Sequence, residues 1–422
     1  MNPFLRRMIA GVAAHGLGLG GTIAIQLFSV PLYLSVWSTA EYGEWLTLSA
    51  MPVYLTLADL GLVKTAGTSM TMAVARGNFS EANVLFQSAI VFSTLVCGLL
   101  ALVIIPGALY LPLPVQVTDE HRWALALLFA SVLLTTFSGI SIAAYTATHR
   151  YALGEMISNV ARLLEWCGGI AGLIIWKSFT AVALCGLCVR VCMTLVLLGV
   201  PFVDARGLVW GVRLARLGMI RQMVKPAGSF LLLTLTSALS LQGSTLMVGY
   251  LFDSSSVTLF NIYRTFARLP VQMTAIVCYT MEPEFSRLYG GKQYQAIKRS
   301  YVRLFLLAFL QVCVTYSLLY WFAPRLLEIW TKGSVPIDLT YIALILAAMV
   351  CASLFWVPRS LLVALNRHHR LAAWVFMTVL AGLGLSWSLG NAMGLEGVLV
   401  SVLATEFVGL LVCTYQAKKV LR

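Results

Sequence analysis

Twelve long apolar runs divide this 422-residue sequence and restrict it to one class of fold. Each run is close to the roughly 20 residues that an α-helix needs to cross a bilayer. Only 11% of the residues are charged, and 60% are hydrophobic, which is more apolar surface than a soluble core can bury. The sequence predicts an all-α integral membrane protein with twelve transmembrane helices, at 12–36, 44–66, 84–110, 122–146, 154–176, 179–203, 227–252, 257–281, 302–323, 339–363, 371–390 and 396–416.

The basic residues indicate the orientation of these spans. The net charge is +13, which in a soluble protein would favour nucleic-acid binding. With the N-terminus inside, nineteen Lys and Arg fall in cytoplasmic segments and four fall outside. This positive-inside bias places both termini in the cytoplasm and excludes nucleic acid as a partner. Arg6 and Arg7 precede the first run as in a signal peptide, but the run continues to Trp37, so we expect a retained span.

A basic segment at 204–225 separates six spans from six. Its apolar and basic residues alternate in a way that predicts a cytoplasmic amphipathic helix on the inner leaflet. The segment divides an N-terminal lobe at 1–203 from a C-terminal lobe at 226–422. The two halves also resemble each other, because GNFSEA at 77–82 matches GKQYQA at 291–296, and ATHRYA at 147–152 matches ALNRHH at 364–369. Six spans per half predict a pseudo-two-fold axis along the membrane normal, a plan typical of transporters.

A few charged residues remain inside the predicted spans. Each costs at least about 2.5 kcal/mol at the bilayer centre unless it is paired or faces water. Two local pairs offer a purely structural explanation: Asp59 with Lys64, and Arg162 with Glu165 three residues apart. The complete set comprises six bases and three acids: Lys64, Arg162, Arg190, Arg264, Arg268, Arg359, Asp59, Glu165 and Glu406.

Several of these residues have no partner nearby in the sequence. Arg264 and Arg268 are four residues apart and therefore share one helix face, with no acid close by. Arg190 is isolated in the sixth span. Arg359 lies near an inner end, where we expect it to snorkel to the interface. Glu406 is alone in the last span and is either the packing partner of an arginine or a proton-binding carboxylate.

The balance of these nine charges is six minus three, or +3, and five of the six bases are arginine. The planar arginine fork binds phosphate through two parallel hydrogen bonds. A cationic cavity predicts an anionic, phosphorylated substrate, whereas an exporter of cations would favour an acidic cavity. The candidate substrate-binding residues are Arg264, Arg268, Arg190, Lys64 and Arg162, and the candidates for ion coupling are Asp59, Glu165 and Glu406.

Other motifs in the sequence carry no chemistry of their own. Cys185, Cys188 and Cys192 share a helix face, but no acid or histidine accompanies them, so we predict packing residues and no metal site. GLGLGG at 16–21 fits a dinucleotide fingerprint without the strand that such a site requires. No Walker motif is present. We therefore predict no cofactor.

The segment STAEYGEWLTLSAMPVYLTLADLGL, from Ser38 to Leu62, resembles the entry to the second span in one transporter family. Polysaccharide-type members of the multidrug/oligosaccharidyl-lipid/polysaccharide (MOP) exporter superfamily, such as Wzx-like O-antigen flippases, share a YG-x-W motif and a DLG motif there. These motifs correspond here to Tyr42, Gly43 and Trp45, and to Asp59, Leu60 and Gly61, and a GN…EA inner loop follows at 77–82. The resemblance implies two six-helix lobes that form a V-shaped cavity opening to alternate sides.

The resemblance also implies a function. The substrate would be an oligosaccharide on polyprenyl pyrophosphate, moved from the inner to the outer leaflet of a bacterial inner membrane. Membrane lipid and polysaccharide polymerase machinery would be the other partners. Two alternatives stay open: a multidrug or cation antiporter of the same superfamily, in which cavity acids are essential, and a membrane polysaccharide polymerase or ligase. The short outer segments, 111–121 and 324–338, argue against the enzyme.

Overall fold

The computed structural model describes the backbone of residues 3–59, 62–110, 118–148, 150–204, 208–290, 292–365 and 369–421. Within these ranges it describes every side chain except those at 3–15, 58, 59, 62, 64, 75, 200–204, 222–230, 233, 283, 290, 369 and 370. Throughout this part of the chain the regular secondary structure is helical. The prediction of an all-α protein is therefore confirmed.

The chain forms two compact units. The first contains Met1–Trp37 and Leu48–Thr234, and the second contains Ser38–Thr47 and Leu235–Arg422. In chain order, the first eight helices are α1 (Pro3–Leu34), α2 (Thr39–Ala50), α3 (Leu62–Ala75), α4 (Phe79–Tyr110), α5 (Asp119–Ala147), α6 (Tyr151–Trp176), α7 (Phe179–Asp204) and α8 (Leu217–Ala238). The remainder are α9 (Ser244–Leu251), α10 (Ser254–Gly290), α11 (Tyr294–Thr331), α12 (Leu339–Ala364), α13 (His369–Met393) and α14 (Leu395–Leu421).

Each predicted span coincides with one of these helices or with a pair of them. Among the described residues, eight helices are long and apolar enough to cross a membrane. The other four predicted spans are interrupted, like the second and seventh, or contain intramembrane charges, like α6 and α10. The predicted positions of the spans thus agree with the helices. The expectation that the second and seventh spans are continuous helices is wrong.

The second span is interrupted at Pro52. Helix α2 ends at Ala50, a 3₁₀ segment covers Pro52–Asp59, and α3 begins at Leu62. Proline has no N–H to donate and disfavours helical geometry in the residue before it, so the α-helix ends there. The backbone then continues as tighter 3₁₀ turns over Pro52–Asp59.

The seventh span is interrupted by a π-helical turn at Leu239–Gly243, between α8 and α9. A π-turn inserts an extra residue into the helical ladder and loosens the carbonyls around it. Thr245 donates its hydroxyl to the carbonyl of Leu241 at 3.3 Å, and Ser244 donates to that of Ser240 at 2.9 Å. The turn therefore presents backbone acceptors to neighbouring side chains.

The start of α2 packs within the second unit. Thr258 donates its hydroxyl to the backbone carbonyl of Thr39 at 2.6 Å. Gly43 lies so close to α10 that a Cβ atom built on it would stand 1.7 Å from the carbonyl oxygen of Ser254. The glycine of the YG-x-W motif therefore permits a backbone contact that any side chain would block.

Two equivalent turns support the internal repeat. Gly77 follows α3 and Lys292 follows α10, and both adopt left-handed backbone angles, with φ of 75° and 54°. In each turn the next N–H donates to the carbonyl five residues earlier, at 3.0 and 2.9 Å. This is the hydrogen bond of a Schellman helix end. The two turns lie within one residue of the register that the matched loop sequences predict.

The connector between the sixth and seventh spans is not the amphipathic helix that we expected over 204–225. The structure shows irregular backbone at 208–216, and α8 begins only at Leu217. Side chains of α4 hold this segment. Gln87 donates to the carbonyl of Val209 at 3.1 Å and accepts from the N–H of Leu214 at 2.8 Å. These tertiary bonds replace the hydrogen bonds that a helix would make.

Candidate functional site

A cavity of about 270 Å³ lies within the second unit. Its charged lining residues are Arg264 and Arg268 from α10, Arg359 from α12 and Glu406 from α14. Aromatic and aliphatic side chains form much of the wall. Hydroxyl groups line the rest, and they belong to Thr236, Ser237, Ser240, Ser244, Thr378, Ser386 and Thr405. The cavity thus combines cationic groups, hydrogen-bonding groups and apolar surface.

Arg264 is fixed by the π-turn. Its Nη1 donates to the carbonyl of Leu241 at 2.6 Å, and its Nη2 donates to Thr245 Oγ1 at 2.8 Å and to Asn261 Oδ1 at 2.5 Å. The guanidinium also lies 5.0 Å from the ring centre of Phe260, a cation–π distance. The guanidinium donors of Arg264 are therefore occupied by protein acceptors, and these bonds connect α10 to the interrupted seventh span.

Arg268 and Glu406 are held differently. Arg268 shares the helix face of Arg264, as the spacing of four residues predicts, and both line the cavity. Among the described residues, neither Arg268 nor Glu406 makes a hydrogen bond, and no carboxylate reaches ion-pair distance of Arg268. The two groups still act on each other electrostatically. Both residues therefore line the cavity without a hydrogen-bond partner among the described residues.

Arg359, which we expect to snorkel to the interface, has an acidic and an aromatic neighbour in the second unit. Its guanidinium lines the cavity and lies 4.5 Å from the ring centre of Trp356. Its Nη1 is 3.9 Å from Glu282 Oε1, and neither of these buried atoms has a hydrogen-bond partner. The attraction of Glu282 and the aromatic face of Trp356 hold the Arg359 guanidinium at the cavity wall. The sequence reasoning missed Glu282 because it follows the predicted end of the eighth span.

The charges of α6 and α7 pair within the first unit. Arg190, which has no sequence neighbour of opposite charge, forms an ion pair with Glu165 of the adjacent helix. Ser131 donates its hydroxyl to the other oxygen of Glu165 at 2.7 Å. The expected pairing of Arg162 with Glu165 is therefore wrong. Arg162 is exposed and donates to Thr22 Oγ1 on α1 at 2.8 Å. Packing of neighbouring helices decided the partner of Glu165, and the sequence does not encode that directly.

Two further candidates fall where the structure gives no side-chain positions. Asp59 ends the 3₁₀ segment and Lys64 lies in α3, and the side chains of both are outside the described residues. Their assignment to a polar cavity stays a prediction. The cysteines of α7 are free, and no cluster of potential metal ligands occurs in the part of the chain that the structure describes.

No protein-family model matches the chain, and no curated protein matches it significantly. Solved structures match it over nearly its whole length. An inward-facing multidrug resistance MATE family transporter of the MOP superfamily matches with a TM-score of 0.75 and 13% identity, covering 94% of this chain and 98% of its own. The outward-facing form of such a transporter gives 0.61 and 12%, covering 94% and 95%. A mutant MATE transporter from Vibrio cholerae gives 0.65 and 15%, covering 99% and 97%.

The chain has the fold of the MATE transporters. The predicted all-α membrane fold is thereby confirmed for this sequence. Identities this low show the fold alone, and the substrate has to be argued from the residues. None of these three structures is described as a polysaccharide flippase, so the resemblance to that branch stays a prediction.

Proposed function

We propose that the protein is a flippase of the bacterial inner membrane. It moves a polyprenyl-pyrophosphate-linked oligosaccharide, such as an O-antigen or exopolysaccharide repeat unit, from the inner to the outer leaflet by alternating access. It transports this substrate without altering it and is not an enzyme. The observation that carries the proposal is the charge of the cavity in the second unit, which three arginines and one glutamate line.

The cavity chemistry fits a glycosylated pyrophosphate. Arg268 has guanidinium donors that no described protein group engages, and such donors bind phosphate oxygens through paired hydrogen bonds. The seven hydroxyl groups of the lining are suited to the hydroxyls of a sugar. The cavity does not have to hold the whole substrate, because a polyprenyl tail is as apolar as the lipid around it. We therefore place the pyrophosphate, with the first sugar, at this cavity.

The fold supports the transport step. Structural neighbours of this chain have been solved in inward-facing and outward-facing conformations. A protein with two such states moves a ligand when the binding site opens to each side in turn. Alternating access of this kind would carry the charged headgroup across while the tail stays in the bilayer.

A second candidate is a multidrug antiporter of the same superfamily. Two solved neighbours are described as multidrug resistance transporters, and Glu406 provides a carboxylate within the cavity. Such a protein would bind organic cations at Glu406, and its arginines would oppose that binding. The two candidates thus predict opposite effects for Arg268 and Glu406.

The experiment compares three proteins in liposomes: wild type, Arg268→Gln and the control Arg325→Gln. Arg325 is an exposed arginine on α11 of the same unit and does not line the cavity. A fluorescent polyprenyl-pyrophosphate oligosaccharide is placed in one leaflet, and its exposure in the other is followed with an impermeant glycosidase. Uptake of a cationic dye is followed in parallel vesicles.

The flippase predicts glycan flipping by wild type and by Arg325→Gln, and a fall of roughly tenfold or more in Arg268→Gln, as for the loss of a hydrogen bond to a charged group. Dye transport by wild type that is unchanged or faster in Arg268→Gln would favour the antiporter. Flipping at the protein-free rate by folded wild type, across several glycans, would rule the flippase out.

A further inference from the structure

The second unit contains three cavity arginines, but only one of them is available to exchange partners. Arg264 donates to three protein acceptors, and Arg359 faces Glu282 and Trp356. Among the described residues Arg268 has no hydrogen-bond acceptor and no carboxylate at ion-pair distance, and its interaction with Glu406 is only electrostatic. Two groups attracted across a cavity without a fixed hydrogen bond separate more easily than a bonded pair.

Arg268 is also the main source of positive charge for Glu406. The other ionisable groups that interact with Glu406 or line its cavity are Tyr316 of α11, Cys351 and Arg359 of α12, and Arg264 of α10. Helix α13 and the π-turn region contribute only apolar, glycine and hydroxyl residues to the cavity lining. A carboxylate in such surroundings depends on a nearby cation to stay ionised. If Arg268 binds something else, Glu406 loses most of that support.

We propose that pyrophosphate binding at Arg268 is linked to the uptake of one proton by Glu406. This inference rests on the proposed anionic substrate and adds a device that the proposed function alone does not require. The incoming pyrophosphate oxygens accept hydrogen bonds from the Arg268 guanidinium. They replace Glu406 as the negative charge that interacts with it. The carboxylate then accepts a proton from water to become a neutral acid. When the pyrophosphate leaves, Glu406 releases that proton and faces Arg268 again.

The linkage has a physical benefit at this site. A pyrophosphate and an ionised carboxylate in one cavity would repel each other in a medium of low dielectric constant. Protonation removes that repulsion, and the neutral acid gains an O–H donor for a phosphate oxygen. The site thus adapts its charge to its ligand.

The test is isothermal titration calorimetry on the full-length protein in detergent, with farnesyl pyrophosphate and inorganic pyrophosphate as probes. Each titration is repeated in buffers of different ionisation enthalpy, and the slope of heat against that enthalpy gives the protons taken up. The variants are Glu406→Gln and the control Glu328→Gln, an exposed acid on α11 outside the cavity. Protonation changes of the probe itself are common to all three proteins and cancel in their differences.

Wild type and Glu328→Gln should take up more protons than Glu406→Gln, by a difference approaching one per bound pyrophosphate. Glu406→Gln should bind the probe at least as tightly as wild type, because its competing charge is gone. Equal proton uptake in wild type and Glu406→Gln, with binding intact, overturns the inference and leaves the proposed flippase standing. A preference for farnesyl over inorganic pyrophosphate would identify a lipid headgroup as the ligand source, and equal binding would identify the free anion.

A second readout covers the case in which Glu406→Gln does not fold. Infrared difference spectra of wild type, with and without pyrophosphate, should show a new carboxylic-acid C=O band. Arg268→Lys keeps the charge and should keep the band at weaker affinity. Arg268→Gln should lose the pyrophosphate-induced band and bind roughly tenfold more weakly or worse. A band of full size in Arg268→Gln, or none in wild type at saturating pyrophosphate, overturns the inference. The inference is also overturned if wild type binds neither probe. The glycan-flipping assay then tests the proposed function separately.

Discussion

Arg190 and Glu406 occupy the same position, the twelfth residue, of α7 and α14, the last helices of the two sequence repeats. Helix α7 begins at Phe179 and α14 begins at Leu395, so an offset of 216 relates the two residues. Arg190 forms a bonded ion pair with Glu165, whereas Glu406 faces Arg268 across a cavity without a hydrogen bond. In the first repeat the charged residue at this position is basic and hydrogen-bonded to its acidic partner, which we call the closed pair. In the second repeat it is acidic and makes no hydrogen bond to its basic partner, which we call the open pair.

The closed pair should contribute to stability and not to transport. Arg190→Gln and Glu165→Gln each leave one charge without its partner in a largely buried position, where 10% of the Arg190 side chain is exposed. Each single variant should lose about 3 kcal/mol or more of stability, as buried pairs do when one member is removed. Thermal unfolding in detergent measures the loss. The double variant Arg190→Leu/Glu165→Leu should recover most of it, and a double variant that is less stable than both singles would contradict this account.

The π-turn should depend on the fork of Arg264. Lysine at this position keeps the charge but cannot donate to Leu241, Thr245 and Asn261 at once. Hydrogen exchange at 239–245 should therefore become at least several-fold faster in Arg264→Lys. The same substitution at exposed Arg325 provides the matched control and should leave exchange there unchanged. Identical exchange in the two variants would show that the turn is stable without the arginine.

Gly43→Ala should be strongly destabilising. The added Cβ would stand 1.7 Å from the carbonyl oxygen of Ser254, which belongs to the backbone and cannot rotate away. We expect a loss of about 3 kcal/mol or more, at the upper end for overpacked sites. Gly98 in α4 has open space around its Cβ, so Gly98→Ala should be neutral or stabilising by up to about 1 kcal/mol. Unfolding temperatures compare the two, and equal temperatures would mean that α2 and α10 do not approach so closely.

Gln87 should keep the connector ordered. Only 4% of this residue is exposed, and its amide makes two hydrogen bonds to the backbone of the connector. Gln87→Leu leaves those backbone groups without partners, so limited trypsin digestion should cut after Arg213 and Arg216 several-fold faster. Ser80→Ala, at an exposed position near the start of the same helix, is the control. Unchanged cleavage in Gln87→Leu would show that other contacts hold the segment.

The positions of the helices could be predicted because the requirement for apolar length is local in sequence. Pro52 gave a local signal for the break in the second span, although we predicted a continuous helix there. No comparable signal marks the π-turn at Leu239–Gly243, since it is stabilised by an arginine that lies more than twenty residues away along the chain. Local rules therefore cannot locate it.

The site was predictable to a similar extent. A spacing of four residues placed Arg264 and Arg268 on one face, and both line the cavity. Their different surroundings were not predictable, because the acceptors of Arg264 lie on other segments and Arg268 has none among the described residues. Glu165 shows the same limit: its nearest base in sequence is Arg162, but the packing of α6 against α7 gives it Arg190.

The most direct measurement of the central claim is the charge of the transported species. Wild-type protein in liposomes is given a lipid-linked oligosaccharide on pyrophosphate and, in a separate sample, a cationic dye of similar headgroup size. We predict that the anionic glycolipid crosses faster than in protein-free vesicles, and that the dye does not. Accelerated dye transport without any acceleration of the glycolipid would contradict an anion-binding cavity and assign the protein to cation export.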